Sequence, residues 1–165
     1  MHKLFEELRQ QVLFATDGMA GPEFHRHPEG KWSSAEILEH LTLAFSGTVK
    51  GCDRCIKENK ALASNPSWKQ RLGTFVLIEC GYFPSGRSAP KQVIPSGGNK
   101  VNPVQELFDQ LQAMDAALAE CESRFGSKDY VLTHPILGPL TIRQWRKFHL
   151  VHTKHHMKQI KVLRS

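Results

Sequence analysis

Apolar side chains recur at three- and four-residue intervals along most of this chain, which is the period of an amphipathic helix. The first such stretch covers residues 3–16 and stops where Gly and Pro cluster. A second helix is predicted from Ser33 to about Asn59. Ser33 and Glu36 have the spacing of a capping box, in which each side chain bonds a free backbone N–H at the helix start.

The middle of the chain is less regular. Residues 67–83 predict a third helix, although Gly73 and several β-branched residues weaken the pattern. Residues 83–103 follow with four prolines and three glycines, which is more helix- and strand-breaking residues than an ordinary connecting loop has. Unstructured segments of this length are often lids or binding loops.

Two further helices are predicted in the last third. One begins at Asn102 and Pro103, a cap residue followed by proline at the first helical position, and continues to about Arg124. The last begins at Thr141, which forms a second capping box with Gln144. No segment sustains the two-residue alternation of a strand. We therefore expect an all-α fold, a four-helix bundle with an additional short helix and a long Pro/Gly-rich loop.

Length and composition agree with one soluble domain spanning residues 1–165. No apolar run approaches the roughly 20 residues of a membrane span, and the charged N-terminus is unlike a signal peptide, so a cytoplasmic location is expected. The formal charge is +6, but the basic residues are spread along the chain, with a mild concentration from Arg143 to Arg164, and match no nucleic-acid-binding pattern, which argues against nucleic-acid binding. The four cysteines are expected to be reduced, with Cys52 and Cys55 buried as small apolar residues.

The last predicted helix is rich in histidine, in the sequence FHLVHTKHHMKQI. On a helical wheel His149, His152, His156 and Gln159 share the stripe that should face the core, whereas the lysines and arginines take the opposite face. Several buried imidazoles each need a polar partner, and a bound cation meets those needs at once. The stripe therefore indicates a metal site rather than a basic surface.

His152 and His156 lie four residues apart, one helical turn, and can chelate a single ion. A third ligand should come from another helix, because two ligands rarely suffice. His40 is the one histidine outside the last helix that the periodicity directs towards the core. Its neighbour Glu39 points away from the core and is expected to be solvated.

The segments WSSAEILEHL and HPILGPLTIRQWRKFHLVHTKHHMKQI resemble those of the DinB-like superfamily, which includes bacillithiol-transferase-like proteins. FPSGRSAP, between them, is similar to a segment of an uncharacterised subfamily of that group. The resemblance implies a four-helix bundle that holds one divalent metal. Carried over by position, the ligands it implies are His40, His152 and His156, the same three that the periodicity selects.

Three imidazoles leave positions open on a metal ion, as in catalytic zinc sites, and zinc or nickel both suit such a site. The resemblance implies a small-molecule substrate, a low-molecular-weight thiol, and an S-transferase activity. A metal-dependent hydrolase fits the same residues, and so does a non-catalytic, stress-responsive binder of metals or ligands. His149 can be a fourth ligand, a general base, a group that supports one of the ligands, or a packing residue. Gln159 can orient metal-bound water or substrate, or cap a neighbouring backbone group. A homodimer is possible for a bundle of this kind.

Overall fold

The computed structural model describes residues 1–26, 29–81, 89–98 and 100–164, and most of them are helical. The helices are α1 (Lys3–Thr16), α2 (Gly21–His25), α3 (Ser34–Glu58), α4 (Trp68–Thr74), α5 (Pro103–Phe125) and α6 (Ile142–Arg164). A π-helical turn, Phe75–Glu79, continues α4, and a 3-10 turn spans Lys91–Val93. Two strands, β1 (Tyr130–His134) and β2 (Gly138–Thr141), lie between α5 and α6.

Both predicted capping boxes are confirmed. At the start of α3 the Ser33 backbone N–H donates to Glu36 Oε2 at 2.7 Å, and the Glu36 N–H donates to Ser33 Oγ at 3.2 Å. At the start of α6 the corresponding distances between Thr141 and Gln144 are 2.9 and 3.2 Å. These caps fix where the two helices that supply the histidines begin.

The expectation of an all-α fold is wrong for residues 130–141, which form an antiparallel hairpin. Leu132 pairs with Leu140 and His134 with Gly138, and the register is irregular between Tyr130 and Leu132. The strands are five and four residues long, too short for the two-residue alternation to be visible in the sequence. The structure is therefore mostly helical with a small sheet.

Smaller differences concern the segments between the long helices. The short helix α2, with Pro22 in its first turn, lies where the sequence predicts only a break. The third predicted helix changes from α to π geometry after Thr74. Asn102 occupies the cap position before α5, but its side chain makes no capping hydrogen bond. Residues 83–88 and 99 of the predicted loop lie outside the described residues.

The long helices pack around one apolar core, α3 most extensively against α5 and α1 against α6. Its largest fully buried side chains include Phe5, Phe45, Leu38, Leu111 and Leu140. As predicted, Cys52 and Cys55 are buried free thiols within this core. Helix α6 also contacts α3, and this contact places the histidines of the two helices together. No helix in the described ranges is both long and apolar enough to cross a membrane.

Candidate metal centre

Three histidines converge where α3 meets α6. His40 Nε2 lies 3.3 Å from His152 Nε2, and His156 Nε2 lies 3.0 Å from the same atom. One ring nitrogen from each of the three residues falls within 4.8 Å of the other two. Two imidazole nitrogens on one tetrahedral zinc ion lie roughly 3.3 Å apart, given Zn–N distances of about 2.0–2.1 Å. The two short distances, from His152 to His40 and to His156, are close to that value, and the group of three is compact enough to share one ion.

Burial keeps these imidazoles neutral at physiological pH. His40 and His156 are only 4% and 7% exposed, and His152 is partly buried. Desolvation lowers the pKa of His40, and it lowers the pKa of His156 to about 3. The pKa of His152 falls well below 6.5, first because of burial and then because His156 and His40 are so close. Neutral imidazole is the form that binds a metal.

In His40 and His156, the ring nitrogen that faces away from the cluster, Nδ1, donates a hydrogen bond to a carbonyl oxygen. His40 Nδ1 donates to the Val93 carbonyl at 2.7 Å, and His156 Nδ1 donates to Gln159 Oε1, also at 2.7 Å. A carbonyl oxygen only accepts, so each ring carries its proton on Nδ1 and directs the Nε2 lone pair into the cluster. Metal-binding histidines are held in this way, with the far N–H donated to an oxygen.

The residues fit a cation for a further reason. With lone pairs on His40 Nε2 and His156 Nε2, the N–H of a neutral His152 can serve at most one of the two close contacts fully. A divalent ion would accept electron density from all three nitrogens at once. The three nitrogens therefore suit a divalent cation.

Aromatic side chains contact two of the ligand rings. Phe148 stacks on His152, with ring centroids 5.2 Å apart and an interplanar angle of 20°. Trp32 lies against His40 at 5.1 Å. These apolar surfaces restrict the orientation of the rings and lower the local dielectric, which strengthens metal–nitrogen interactions.

His149 lies on the predicted stripe but outside the group of three. Its Nε2 lies 2.9 Å from the Thr48 hydroxyl, and its ring stacks on Trp145 at 5.7 Å and meets Phe45 edge-on at 5.1 Å. Burial, together with the nearby His134, lowers its pKa to about 3. The geometry is that of a neutral, packed histidine bonded to α3.

Sequence reasoning selected Gln159, which accepts a hydrogen bond from His156, but it missed Phe148 and Val93, which contact the other two ligand rings. Phe148 precedes His152 by four residues, so helical spacing could have identified it as a neighbour. Val93 acts through its backbone carbonyl, which has no signal in the sequence. Glu39, expected to be solvated, is instead half-buried and accepts two hydrogen bonds from Ser96.

Residues 5–162 match the family described as "Protein of unknown function (DUF1569)". The chain belongs to this family. Its three clustered histidines all lie within the stretch that matches the DUF1569 family. The chain is also similar to the "Uncharacterized protein YuaE" of Bacillus subtilis (strain 168), at 25% identity over 170 residues covering 98% of this chain and 96% of that protein. No solved structure gives a significant match.

Proposed function

We propose that this DUF1569 protein is a metal-dependent enzyme of the DinB-like type, a four-helix bundle in which His40, His152 and His156 hold one zinc or nickel ion. The observation that carries the proposal is the convergence of three neutral imidazole nitrogens within 4.8 Å. The hydrogen bonds behind His40 and His156 give additional support, because they orient the lone pairs before any metal arrives.

The number of ligands favours a catalytic over a structural role. Among the described residues, no fourth histidine, cysteine or carboxylate joins the group. His149, the obvious candidate, bonds Thr48 instead. Structural zinc sites have four protein ligands, whereas catalytic sites have three and leave a position for the substrate.

We propose a low-molecular-weight thiol as substrate, on the strength of the resemblance to bacillithiol-transferase-like proteins. In an S-transfer reaction the sulfur forms a bond to an electrophilic carbon, the bond to the leaving group breaks, and the thiol proton passes to solvent. A bound divalent ion would supply Lewis acidity, which favours the thiolate form of the nucleophile at neutral pH. The chain itself contributes the orientation of the imidazoles and the dry walls formed by Trp32 and Phe148.

Metal content tests the site directly. After incubation with zinc or nickel and gel filtration, mass spectrometry should find about one ion per chain. His152→Ala and His156→Ala should each lose most of it, because two imidazoles bind far more weakly than three. His25→Ala is the matched control, since His25 lies on α2 and outside the cluster, and it should retain the metal. A wild-type protein that binds neither ion would refute the site.

Activity is tested with the metal-loaded protein, a panel of low-molecular-weight thiols and a chlorodinitrobenzene electrophile. We expect conjugation that depends on His40, His152 and His156 and is unaffected in His25→Ala. Hydrolysis of activated esters without conjugation would instead identify a metal-dependent hydrolase. Metal binding without either reaction would favour the non-catalytic, ligand-binding alternative.

A further inference from the structure

Residues 90–98, here called the strap, run along α3 beside the histidine cluster. The Val93 carbonyl accepts the His40 Nδ1 hydrogen at 2.7 Å. Three residues later Ser96 donates twice to Glu39 Oε1, from its backbone N–H at 3.2 Å and from its hydroxyl at 2.7 Å. The strap is therefore attached to two consecutive residues of α3, one of which is in the cluster.

Gly97 lets the strap turn close to α3. Its φ of +72° lies in the left-handed region that favours glycine, and a Cβ built there would come within 3.6 Å of Glu36 Oε1. The strap thus passes Glu36, Glu39 and His40, which lie on the first two turns of α3. Besides the Val93 bond to His40, the strap therefore has contacts with α3 that do not involve the cluster.

These contacts have a thermodynamic consequence. A docked strap holds the His40 proton on Nδ1, which leaves Nε2 free to bind a metal. A metal at Nε2 in turn makes the Nδ1 hydrogen a stronger donor to Val93. Docking of the strap and binding of the metal therefore favour the same protonation state of the His40 ring. The two equilibria are linked, and each raises the equilibrium constant of the other by the same factor.

We propose that the strap is coupled to the metal site: its attachment through Glu39 and Ser96 raises the affinity of His40 for the ion, and metal binding fastens the strap. Glu39 and Ser96 are thus positioning residues that act through Val93 and His40. This inference rests on the metal centre of the proposed function. It adds a means by which a loop movement would regulate that centre.

The affinity for zinc, measured by competition with a chromophoric chelator, tests whether attachment of the strap strengthens metal binding. Loss of the direct hydrogen-bond partner of a metal ligand typically weakens metal binding by 10–100-fold. Glu39 and Ser96 act one contact further out, through Val93, so we expect about tenfold for Glu39→Ala and about threefold for Ser96→Ala, which keeps the backbone N–H bond to Glu39. Ser96→Thr, which keeps the hydroxyl, should restore the affinity. The double variant Glu39→Ala/Ser96→Ala should be no weaker than Glu39→Ala, because both changes remove the same attachment.

Two controls separate attachment from charge. Glu39→Gln removes the charge but keeps an oxygen that can accept from Ser96, so it should bind zinc more tightly than Glu39→Ala. Glu120→Ala removes a carboxylate from α5 that pairs with Arg124, and it should leave the affinity unchanged. Equal losses in Glu39→Gln and Glu39→Ala, with none in Ser96→Ala, would overturn the inference in favour of simple electrostatic attraction.

Amide hydrogen exchange tests whether metal binding stabilises the attachment of the strap to α3. Zinc should slow exchange of the Ser96 amide, which is bonded to Glu39, in the wild type but not in His152→Ala. Zinc binding with unchanged exchange, and with wild-type affinity in Glu39→Ala and Ser96→Ala, would overturn the coupling while leaving the proposed function intact. Absence of zinc binding by the wild type would overturn both.

Discussion

At the scale of single residues, what a buried histidine does depends on which nitrogen has a partner. His40 donates from Nδ1 and directs Nε2 into the cluster. His149 uses Nε2 for Thr48, and its buried Nδ1 is not among the nitrogens of the cluster. His134 accepts from two backbone N–H groups at the hairpin turn through Nδ1. All three have lowered pKa values, because burial disfavours the charged ring.

His134 should make stability depend on pH. Burial lowers its pKa from 6.5 to about 4, so below pH 6.5 the unfolded chain binds a proton that the folded chain does not. The free energy of unfolding should fall by about 1.4 kcal/mol per pH unit as the pH drops from 6.5 to 4, and this contribution is constant above 6.5. His134→Asn keeps an acceptor for the turn but cannot titrate. Urea titrations at pH 7 and pH 5, with a chelator present, should show a loss about 2 kcal/mol smaller in this variant than in the wild type. Identical losses would contradict the assignment.

The bond between Thr48 and His149 should contribute strongly to stability. Thr48→Val keeps the shape of the side chain but leaves the buried His149 Nε2 without its partner. We expect the free energy of unfolding, measured in urea, to fall by about 2 kcal/mol. Thr42→Val is the matched control, since the Thr42 hydroxyl donates to the Leu38 carbonyl within the same helix, and it should change stability by less than about 0.5 kcal/mol.

At the scale of the element, the 25-residue helix α3 contributes both to the candidate metal site and to the packing of the core. Its first two turns hold His40 and the attachment of the strap, and its second half packs against α5 and β1. Two glycines in the second half have different surroundings. A Cβ on Gly47 would meet nothing within 4 Å, whereas a Cβ on Gly51 would lie 3.1 and 3.2 Å from the Leu132 methyl groups.

Alanine substitutions at these glycines should differ in effect. Gly47→Ala should raise the free energy of unfolding by about 0.5–1 kcal/mol, because alanine loses less backbone entropy in a helix and the site is open. Gly51→Ala has the same helical advantage but forces Leu132 to move, so it should be clearly less stable than Gly47→Ala. Paired urea denaturation curves measure the difference. Equal stabilisation by both would mean that Leu132 moves freely.

At the scale of the whole molecule, the cluster joins parts of the chain that are far apart in sequence. His40 and His152 are 112 residues apart, and their contact depends on how α3 and α6 pack. A metal bound by both helices would therefore link α3 to α6. The three histidines come together only in the folded protein, so the ion would bind the folded state and not the unfolded chain. Metal binding would therefore increase the free energy of unfolding.

Zinc should accordingly raise the melting temperature of the protein. At a free concentration 100 times its dissociation constant, a ligand that binds only the folded state adds about 2.7 kcal/mol. Thermal unfolding followed by circular dichroism should show the rise in the wild type and in His25→Ala, its reversal by a chelator, and no rise in His156→Ala. A similar rise in His156→Ala would indicate that zinc binds elsewhere.

Features that depend on local spacing could be predicted from the sequence. Capping boxes located the starts of α3 and α6, and helical periodicity placed His40, His152 and His156 on inward faces. Both signals depend on residues within a few turns of one helix, so they can be recognised without knowing the tertiary structure. The likeness to DinB-like proteins and the thiol substrate remain predictions that no contact in the structure tests.

The tertiary structure alone decided which groups complete the site. It separated His149 from the cluster by giving it Thr48 as a partner, and it placed the Val93 carbonyl behind His40. It also paired the short strands and attached Ser96 to Glu39. These features involve backbone atoms or residues distant in sequence, whose positions follow from packing rather than from any local pattern.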